Sequence, residues 1–351
     1  MPDHCNDISA SIQDAFQHQQ VLNINAGKTK QFYGRSIDAK SLSLAEHTGI
    51  IEYEPSELYI TARSGTSLLE IEQAVADQNQ ILPCEPPCFG ANATLGGTIA
   101  CGLAGPRRVS AGNVRDCILG TEIINGKGET LHFGGKVMKN VAGYDVSRLM
   151  CGALGTLGVI MSVSLRLLPK PESEQTIVLS VDCDTAIEKL NQWANTPMPI
   201  SASFYDGSEL FIRLSSSESA IEACKKSIGG ELANNHNVFW NSIKEQTHVF
   251  FKANKPLWRL SVPPNTRLLN ILGDNVMEWN GALRWYSSEE DEKTIRTEVD
   301  RAGGHATLFK GDVTNQIFHP LPKASFALHK KLKQVFDPAK ILNPGKMFTE
   351  L

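Results

Sequence analysis

An α+β protein in two parts is the fold class the sequence predicts, and three observations predict it. Fifteen of the chain's 28 glycines fall between positions 90 and 158. A cleanly alternating strand, residues 159–167, ends at the break Pro169-Lys170-Pro171. Beyond that break, strands alternate with helices and hairpins, the rhythm of helices laid over an antiparallel sheet. The 351 residues leave room for two domains, expected at 1–171 and 172–323, with 324–351 a helix and tail returning to the first.

Composition narrows the class. Lys plus Arg is 34 and Asp plus Glu is 38, a net charge of −4, which argues against the basic face a nucleic-acid protein needs. Hydrophobic residues at 41% and charged residues at 21% describe a folded globular chain rather than a disordered one. No stretch approaches the roughly 18 apolar residues of a membrane span. The first sixteen residues lack the basic start and apolar run of a secretion signal. The eight cysteines therefore read as reduced thiols in a cytosolic protein.

Along the first part, Val21, Leu22 and Ile24 make a short apolar strand ahead of Asn25-Ala26-Gly27-Lys28-Thr29. Small consecutive residues there let backbone N–H groups turn inward as an anion-binding concavity, or simply carry a strand into a helix. Residues 58–62 form a strand. Ser67 and Glu70 have capping-box spacing and open a helix to about Asp77, whose Leu68, Ile71 and Val75 share one face. Residues 90–102 lack both the Gly-x-Gly-x-x-Gly turn of a Rossmann fold and the Gly-Lys-Ser/Thr ending of a P-loop. What remains is Gly96-Gly97 with flanking threonines, able to bring N–H and O–H donors against a diphosphate. Asn125-Gly126 marks a hairpin between strands 118–124 and 129–133. In the strand from 159, Val159, Met161, Val163, Leu165 and Leu167 turn one way; Ser162, Ser164 and Arg166 turn the other, giving it one buried face.

After the break come a strand at 176–181 and a helix that Asp184 caps, with Ile187, Leu190 and Ala194 on one face. A hairpin of 201–205 with 210–214 follows, then a helix at 219–227 stopped by Gly229-Gly230. A second round has a helix near 242–251, strands at 258–262 and 282–286, a helix from about Glu292 to Ala302, and a strand at 305–310. The last helix, about 324–336, carries Leu328, Leu332 and Val335 as its apolar face. Lys330, Lys331 and Lys333 read as its solvated face, with a membrane or partner patch as the alternative. The tail at 341–345 is too polar and turn-like for a core element.

A third glycine-rich segment, Lys139-Asn-Val-Ala-Gly-Tyr-Asp145 followed by Gly152-Ala-Leu-Gly155-Thr-Leu-Gly158, feeds the alternating strand. Taken in order with Gly96-Gly-Thr-Ile-Ala100 and Arg115-Asp116, these segments resemble the flavin-binding domain of the vanillyl-alcohol-oxidase, or para-cresol-methylhydroxylase, type. Gly303-Gly-His-Ala-Thr-Leu-Phe309, Phe336-Asp-Pro338 and Asn343-Pro-Gly345 add a resemblance to the FAD-binding E subunits of bacterial glycolate oxidases within that family. The resemblance implies a two-lobed FAD-binding domain with an α+β cap, the flavin ring facing the cap. It places the FAD phosphates near Asn25, Ala26, Gly27, Lys28 and Thr29 and near Gly96 and Gly97. Gly90, Thr94, Gly102, Arg115, Asn140 and Gly143, with the backbone of Gly155, Gly158, Val159 and Ile160, complete the cofactor set, and Asn343 brings the tail back to it. Many relatives attach FAD through His or Cys; the first loop here offers Gly27, Lys28 and Thr29, so FAD is expected to be non-covalent.

The same resemblance implies a complex oxidising glycolate, a small 2-hydroxy acid, to glyoxylate. A D-type flavoprotein subunit would perform the oxidation, and this chain's flavin would relay electrons toward an F-type iron–sulfur subunit, in the cytosol or peripherally at the inner membrane. Relatives that oxidise 2-hydroxy acids carry a His-x-Gly-Asp-Gly-Asn-x-His element, which this chain lacks. The nearest substitutes are His305, Arg259 and Arg284 on neighbouring strands, with Lys310 following. They converge as a catalytic set, or they form a structural ion cluster or an interface. A stand-alone FAD-dependent dehydrogenase of a small hydroxy acid or alcohol, and a non-catalytic flavin-containing assembly subunit, stay as alternatives. No Cys-x-x-Cys pair is present, and Cys84 and Cys88 around Glu-Pro-Pro do not make a four-ligand metal site, so no metal is expected. Cys101 reads as a small buried residue and His319 as structural.

Overall fold

Apolar runs ending at the Pro169–Pro171 break build the first sheet, in a computed structural model that describes residues 4–135, 145–312 and 316–351. The chain divides into two compact units. One comprises Met1–Leu103, Asn113–Lys170 and Pro320–Leu351; the other comprises Ala104–Gly112 and Pro171–His319. The segment Ala104–Gly112, expected within the first domain, thus clusters with the second. Its contacts explain this: Gly105 O accepts from Trp279 Nε1 (3.1 Å), Arg107 pairs with Glu174 (2.5 Å), and Ser110 Oγ donates to Ser201 O (3.2 Å).

In the first unit, β1 (Leu22–Asn25) lies parallel to β2 (Lys40–Ser43). Strands β3 (Ile50–Glu54) and β4 (Tyr59–Arg63) are followed by the short β5 (Gln80–Ile81), then β6 (Ile118–Ile124), β7 (Thr130–Gly134), β8 (Val159–Arg166) and β9 (Leu168–Pro169). The main sheet has the order β3-β4-β8-β6-β7, antiparallel throughout. Strand β8 is therefore central, and both of its faces are covered. Ser162 and Ser164, expected to turn outward, are buried; Ser164 Oγ shares a hydrogen bond with Thr61 (2.8 Å), and Ser162 Oγ donates to Glu122 (3.0 Å). Helix Leu68–Ala76 buries Leu68, Ile71 and Val75 as its spacing predicts, but Ser67 makes no side-chain cap and is held instead in a backbone bridge to Thr94. An N-terminal helix, Cys5–Gln17, buries Ile8, Ile12 and Ala15 within an otherwise polar stretch.

The C-terminal helix, Lys323–Phe336, corrects its own periodicity. Leu328 and Val335 are 57% and 68% exposed, while Lys333 and Phe336 are buried. The tail is likewise buried: Ile341 and Leu342 join the first unit's core, Leu22 N donates to Ile341 O (2.8 Å), and Leu342 bridges Leu22. A polar stretch can sit there because Lys333 and Asp337 answer its backbone groups, as described below.

The second unit is built on β10 (Ser173–Ser180), β11 (Ile200–Tyr205), β12 (Glu209–Ser216), β13 (Glu231–Leu232), β14 (Leu257–Ser261), β15 (Asp274–Glu278), β16 (Leu283–Ser287) and β17 (His305–Lys310). They form one antiparallel sheet in the order β13-β10-β12-β11-β15-β16-β14-β17. Helices Cys183–Trp193 and Glu218–Ile228 pack on Ile177, Ile212 and Met277, and helix Glu292–Arg301 packs on Trp258, Leu260 and Tyr286. Asp182, not Asp184, caps the first of these by accepting from Thr185 N (2.8 Å), and Trp193 rather than the exposed Ala194 completes its buried face. The helix expected near 242–251 is two pieces, His236–Lys244 and a 3-10 turn Val249–Lys252, because Ser242 O takes the N–H groups of both Thr247 and His248. Among the described residues, no helix is long and apolar enough to cross a membrane.

Candidate functional site

The first loop leaves β1 at Asn25 and places Lys28 in the left-handed region (φ 60°). The N–H groups of Ala26, Gly27, Lys28 and Thr29 find no acceptor among the described residues. Four successive donors around a left-handed residue make the kind of concavity that holds an anion. The loop packs tightly on the second glycine segment: a Cβ at Gly27 would lie 1.6 Å from the Asn92 carbonyl oxygen. Gly90 lies beside Thr29 and is a glycine for its positive φ of 134° rather than for space, and the buried Lys30 donates to Cys88 O (3.2 Å).

The second segment contributes differently from the sequence expectation. Gly96 N donates to Ser64 O (2.7 Å), and Gly97 N donates to Thr94 Oγ1 (3.3 Å), which caps helix Leu95–Cys101. Both N–H groups are thus engaged. Gly96 is small because a Cβ there would fall 2.6 Å from Ser64 Cβ. Gly102 ends this helix in the left-handed conformation against Cys151 and Gly152.

Two adjoining recesses run along these loops, sharing Asn25, Ala26, Gly97 and Asn343 in their walls. Gly27, Lys28, Thr29 and Thr94 line one; Gly96, Gly155, Gly158 and Ile160 line the other. Buried polar atoms face them without protein partners: Asn25 Oδ1 and Ser64 Oγ make no hydrogen bond among the described residues. Lys30 and Lys346 add positive charge. Burial pushes the Cys101 thiol up to about 11, with both lysines pulling it back. Burial likewise lowers the pKa of Lys346, which lines the first recess and donates to Arg35 O (3.2 Å). Cationic groups, unsatisfied N–H donors, orphaned polar atoms and glycines pressed against backbone together fit a nucleotide diphosphate.

The C-terminal tail fixes this geometry. Asn343 accepts from Ile24 N (2.8 Å) through Oδ1 and donates to Leu154 O (2.7 Å) through Nδ2, tying β1 to the turn before β8. Gly155 is needed there because its Cβ would lie 2.8 Å from Asn343 Nδ2. Lys333 Nζ donates to Thr156 O (2.8 Å), Asp337 Oδ2 (2.7 Å) and Leu342 O (2.8 Å), so its ammonium is saturated. Asp337 in turn accepts from Ile341 N and Leu342 N. Burial lowers the pKa of Lys333, and Asp337 opposes that shift. The sequence signal for this pair was its i,i+4 spacing just before the tail.

The remaining candidates fall elsewhere. Val159 is buried in β8, paired with Ile124. Arg115 lines a separate cavity. Asn140 and Gly143 lie outside the described residues, and so does the rest of their motif up to Tyr144. Asp145 caps helix Val146–Leu149 and pairs with Arg148 (2.9 Å).

In the second unit the three expected catalytic residues do not converge. Arg284 pairs in register with Leu260, whereas Arg259 pairs with Trp285, so the two arginines lie on opposite faces of the sheet. Arg284 is fully buried and donates to Gly281 O and Thr266 O (both 2.7 Å), a structural role. Arg259 shares its face with His305, whose register partner is Ser261, and its guanidinium stacks on Trp279 at 5.1 Å. His305 is exposed at the strand start, and partial desolvation, then Arg259 and His319, hold its pKa below the ordinary imidazole value. Glu278, absent from the sequence expectations, lies on the same face. Burial pushes it up to about 7, although it accepts from Trp285 Nε1 (2.7 Å). His319 is structural: Nδ1 accepts from Ala306 N, and Nε2 donates to Asp300 (2.9 Å).

Comparisons with known proteins bear on this geometry. Residues 1–134 match the model of the FAD binding domain family, and residues 320–347 match that of the FAD linked oxidases' C-terminal domain. The chain is 41% identical over 349 residues to glycolate oxidase subunit GlcE of Escherichia coli (strain K12), covering 99% of each. It belongs to the family of glycolate oxidase E subunits. A member of this family binds FAD, and apart from Ala104–Gly112 both matched segments lie in the first unit, where the recesses are. Glycolate oxidase subunit GlcD of Bacillus subtilis (strain 168) is 32% identical over 165 residues, 46% of this chain and 35% of that protein. A crystal structure of alkyldihydroxyacetonephosphate synthase, 14% identical, superposes with a TM-score of 0.68 over 97% of this chain and 74% of its own, which establishes the shared fold.

Proposed function

We propose that this chain is the FAD-binding subunit of a glycolate oxidase complex, in which a D-type flavoprotein subunit oxidises glycolate to glyoxylate and an F-type iron–sulfur subunit receives the electrons. The observation that carries the reading is the row of four unsatisfied N–H groups at 26–29, set in a chain that matches an E subunit end to end. Those N–H groups bind the cofactor's diphosphate, and Lys30 and Lys346 balance its charge. Asn25 Oδ1 and Ser64 Oγ accept from and donate to its polar edge. Asn343 and Lys333 act as positioning residues, holding β1 and the 154–156 turn at fixed separation. Bound FAD supplies a carrier that takes up two electrons and releases them singly. No His or Cys lies in the first loop, and Cys101 is held protonated, so the attachment is non-covalent.

A second reading rests on Arg259 and His305. A guanidinium beside the buried Glu278 and an imidazole held below its ordinary pKa on one sheet face are what a 2-hydroxy acid requires: a cation for its carboxylate and a base for its hydroxyl proton. The two readings separate on glycolate-dependent dye reduction. In the complex, Arg259→Met and His305→Ala leave the rate unchanged if the D-type subunit does the oxidation. They abolish the rate of the chain alone if this chain does.

A further inference from the structure

We propose that the groove between the C-terminal helix and the 145–157 segment docks an acidic segment of a partner polypeptide, which inserts a bulky apolar side chain. This rests on the reading of the chain as a subunit and names where the subunit is held.

The groove is a cavity of about 590 Å³ in the first unit, lined by Leu149, Leu157, Leu332 and Met347, with the exposed Leu328 at its edge. That volume suits one or two large side chains. At its rim Arg115 is exposed, while Arg148 is paired with Asp145, which also lines the groove. The helix beside it presents three exposed lysines, Lys323, Lys330 and Lys331, and no acidic residue; its fourth, Lys333, is buried against Asp337. This concentration of positive charge stands out in a chain whose net charge is −4. The acids nearby have partners of their own, Asp116 in the capping box with Asn113, Asp145 in its pair with Arg148 and Glu350 as acceptor from Thr349 Oγ1. The complement of such a surface is an acidic segment.

The helix is also turned so that its apolar side is spare. Lys333 points inward to its three acceptors, and Leu328 and Val335 are consequently left in solvent beside Lys331. An apolar ridge next to a cationic rim is the arrangement a protein interface uses: an apolar anchor within a polar border. A bilayer fits less well, since its apolar phase takes up protruding side chains and the floor of this groove is recessed. The position suits an electron-transfer subunit. Thr156 and Leu157 line the groove, while their neighbours Gly155 and Gly158 line the cofactor recess, so one turn of chain separates the two.

The test is co-purification with the D-type and F-type subunits encoded by the same organism, comparing wild type with Leu328→Glu/Lys331→Glu. Val238→Glu, at a residue 71% exposed in the second unit, serves as the control. The expected result is that the double variant keeps its FAD and its circular dichroism but binds the partners at least about tenfold more weakly, with the control unaffected. Retention at wild-type stoichiometry by the double variant would overturn the proposal. So would loss of binding to phosphatidylglycerol vesicles with the complex intact, which would make the groove a lipid site. A wild-type chain that retains no partner at all would overturn the subunit reading and this surface with it.

Discussion

Removing the Lys333 ammonium tests how the cofactor site is held together. Lys333→Met deletes three donated hydrogen bonds, to Thr156 O, Asp337 and Leu342 O, while keeping most of the side chain's volume. Asp337, 0% exposed, then keeps only the Ile341 and Leu342 N–H groups to answer a full negative charge. Breaking a buried pair from one side costs about 3–5 kcal/mol, most of it from the stranded charge. A cost of about 3 kcal/mol lowers the folded-to-unfolded ratio by roughly two orders of magnitude. The consequence reaches FAD, since undocking of the tail releases Asn343 from Ile24 and Leu154, and with it the wall shared by both recesses. All five tryptophans lie in the second unit, so the assay follows the first unit by circular dichroism and flavin release in urea. Adding Asp337→Asn to Lys333→Met removes the stranded charge and is expected to recover at least about 1 kcal/mol. A single variant destabilised by under about 1 kcal/mol, with unchanged FAD affinity, would refute this account of the tail.

Three further outcomes follow from the same geometry. Gly27→Ala puts a methyl group 1.6 Å from Asn92 O, so the two loops must separate; FAD retention should fall at least about tenfold, with tryptophan-monitored unfolding of the second unit unchanged. Glu278 is held near 7 against an ordinary value of 4.5, so its neutral form is favoured in the folded state. Its contribution is complete below about pH 4.5 and is lost as pH rises through about 7, a change of about 3 kcal/mol that Glu278→Gln should remove from urea titrations. Arg284→Met leaves the Gly281 and Thr266 carbonyls without their donor and should cost about 1–3 kcal/mol; Arg259→Met, on the half-exposed face, should cost under about 1 kcal/mol in the same melts.

Much of the fold was legible because local signals agreed with tertiary ones. Asn125-Gly126 turned as expected between β6 and β7, and β17 occupies the predicted residues. The errors share a cause: burial decided by a partner element rather than by periodicity. Ser162 and Ser164 looked solvent-facing until β4 and β6 flanked them with Thr61 and Glu122. Lys333 looked solvated until Thr156 and Asp337, one of them 177 positions away, supplied its acceptors. At the site, the first loop was visible from its small residues, yet only the folded backbone leaves residues 26–29 with spare donors while Gly96 and Gly97 have spent theirs. Opposite faces for Arg259 and Arg284 follow from register, which depends on pairing with β16 and could not be read from either strand alone.

On the proposed reading, FAD sits non-covalently on the 26–29 loop and its neighbouring recess. The most direct measurement is the absorption spectrum of the purified full-length chain before and after acid precipitation. About one flavin per chain is expected, all of it in the supernatant, and a Gly27→Ala variant should carry little. Flavin that stays with the pellet would contradict non-covalent binding. A chain that carries no flavin and does not quench added FAD fluorescence would contradict the site itself.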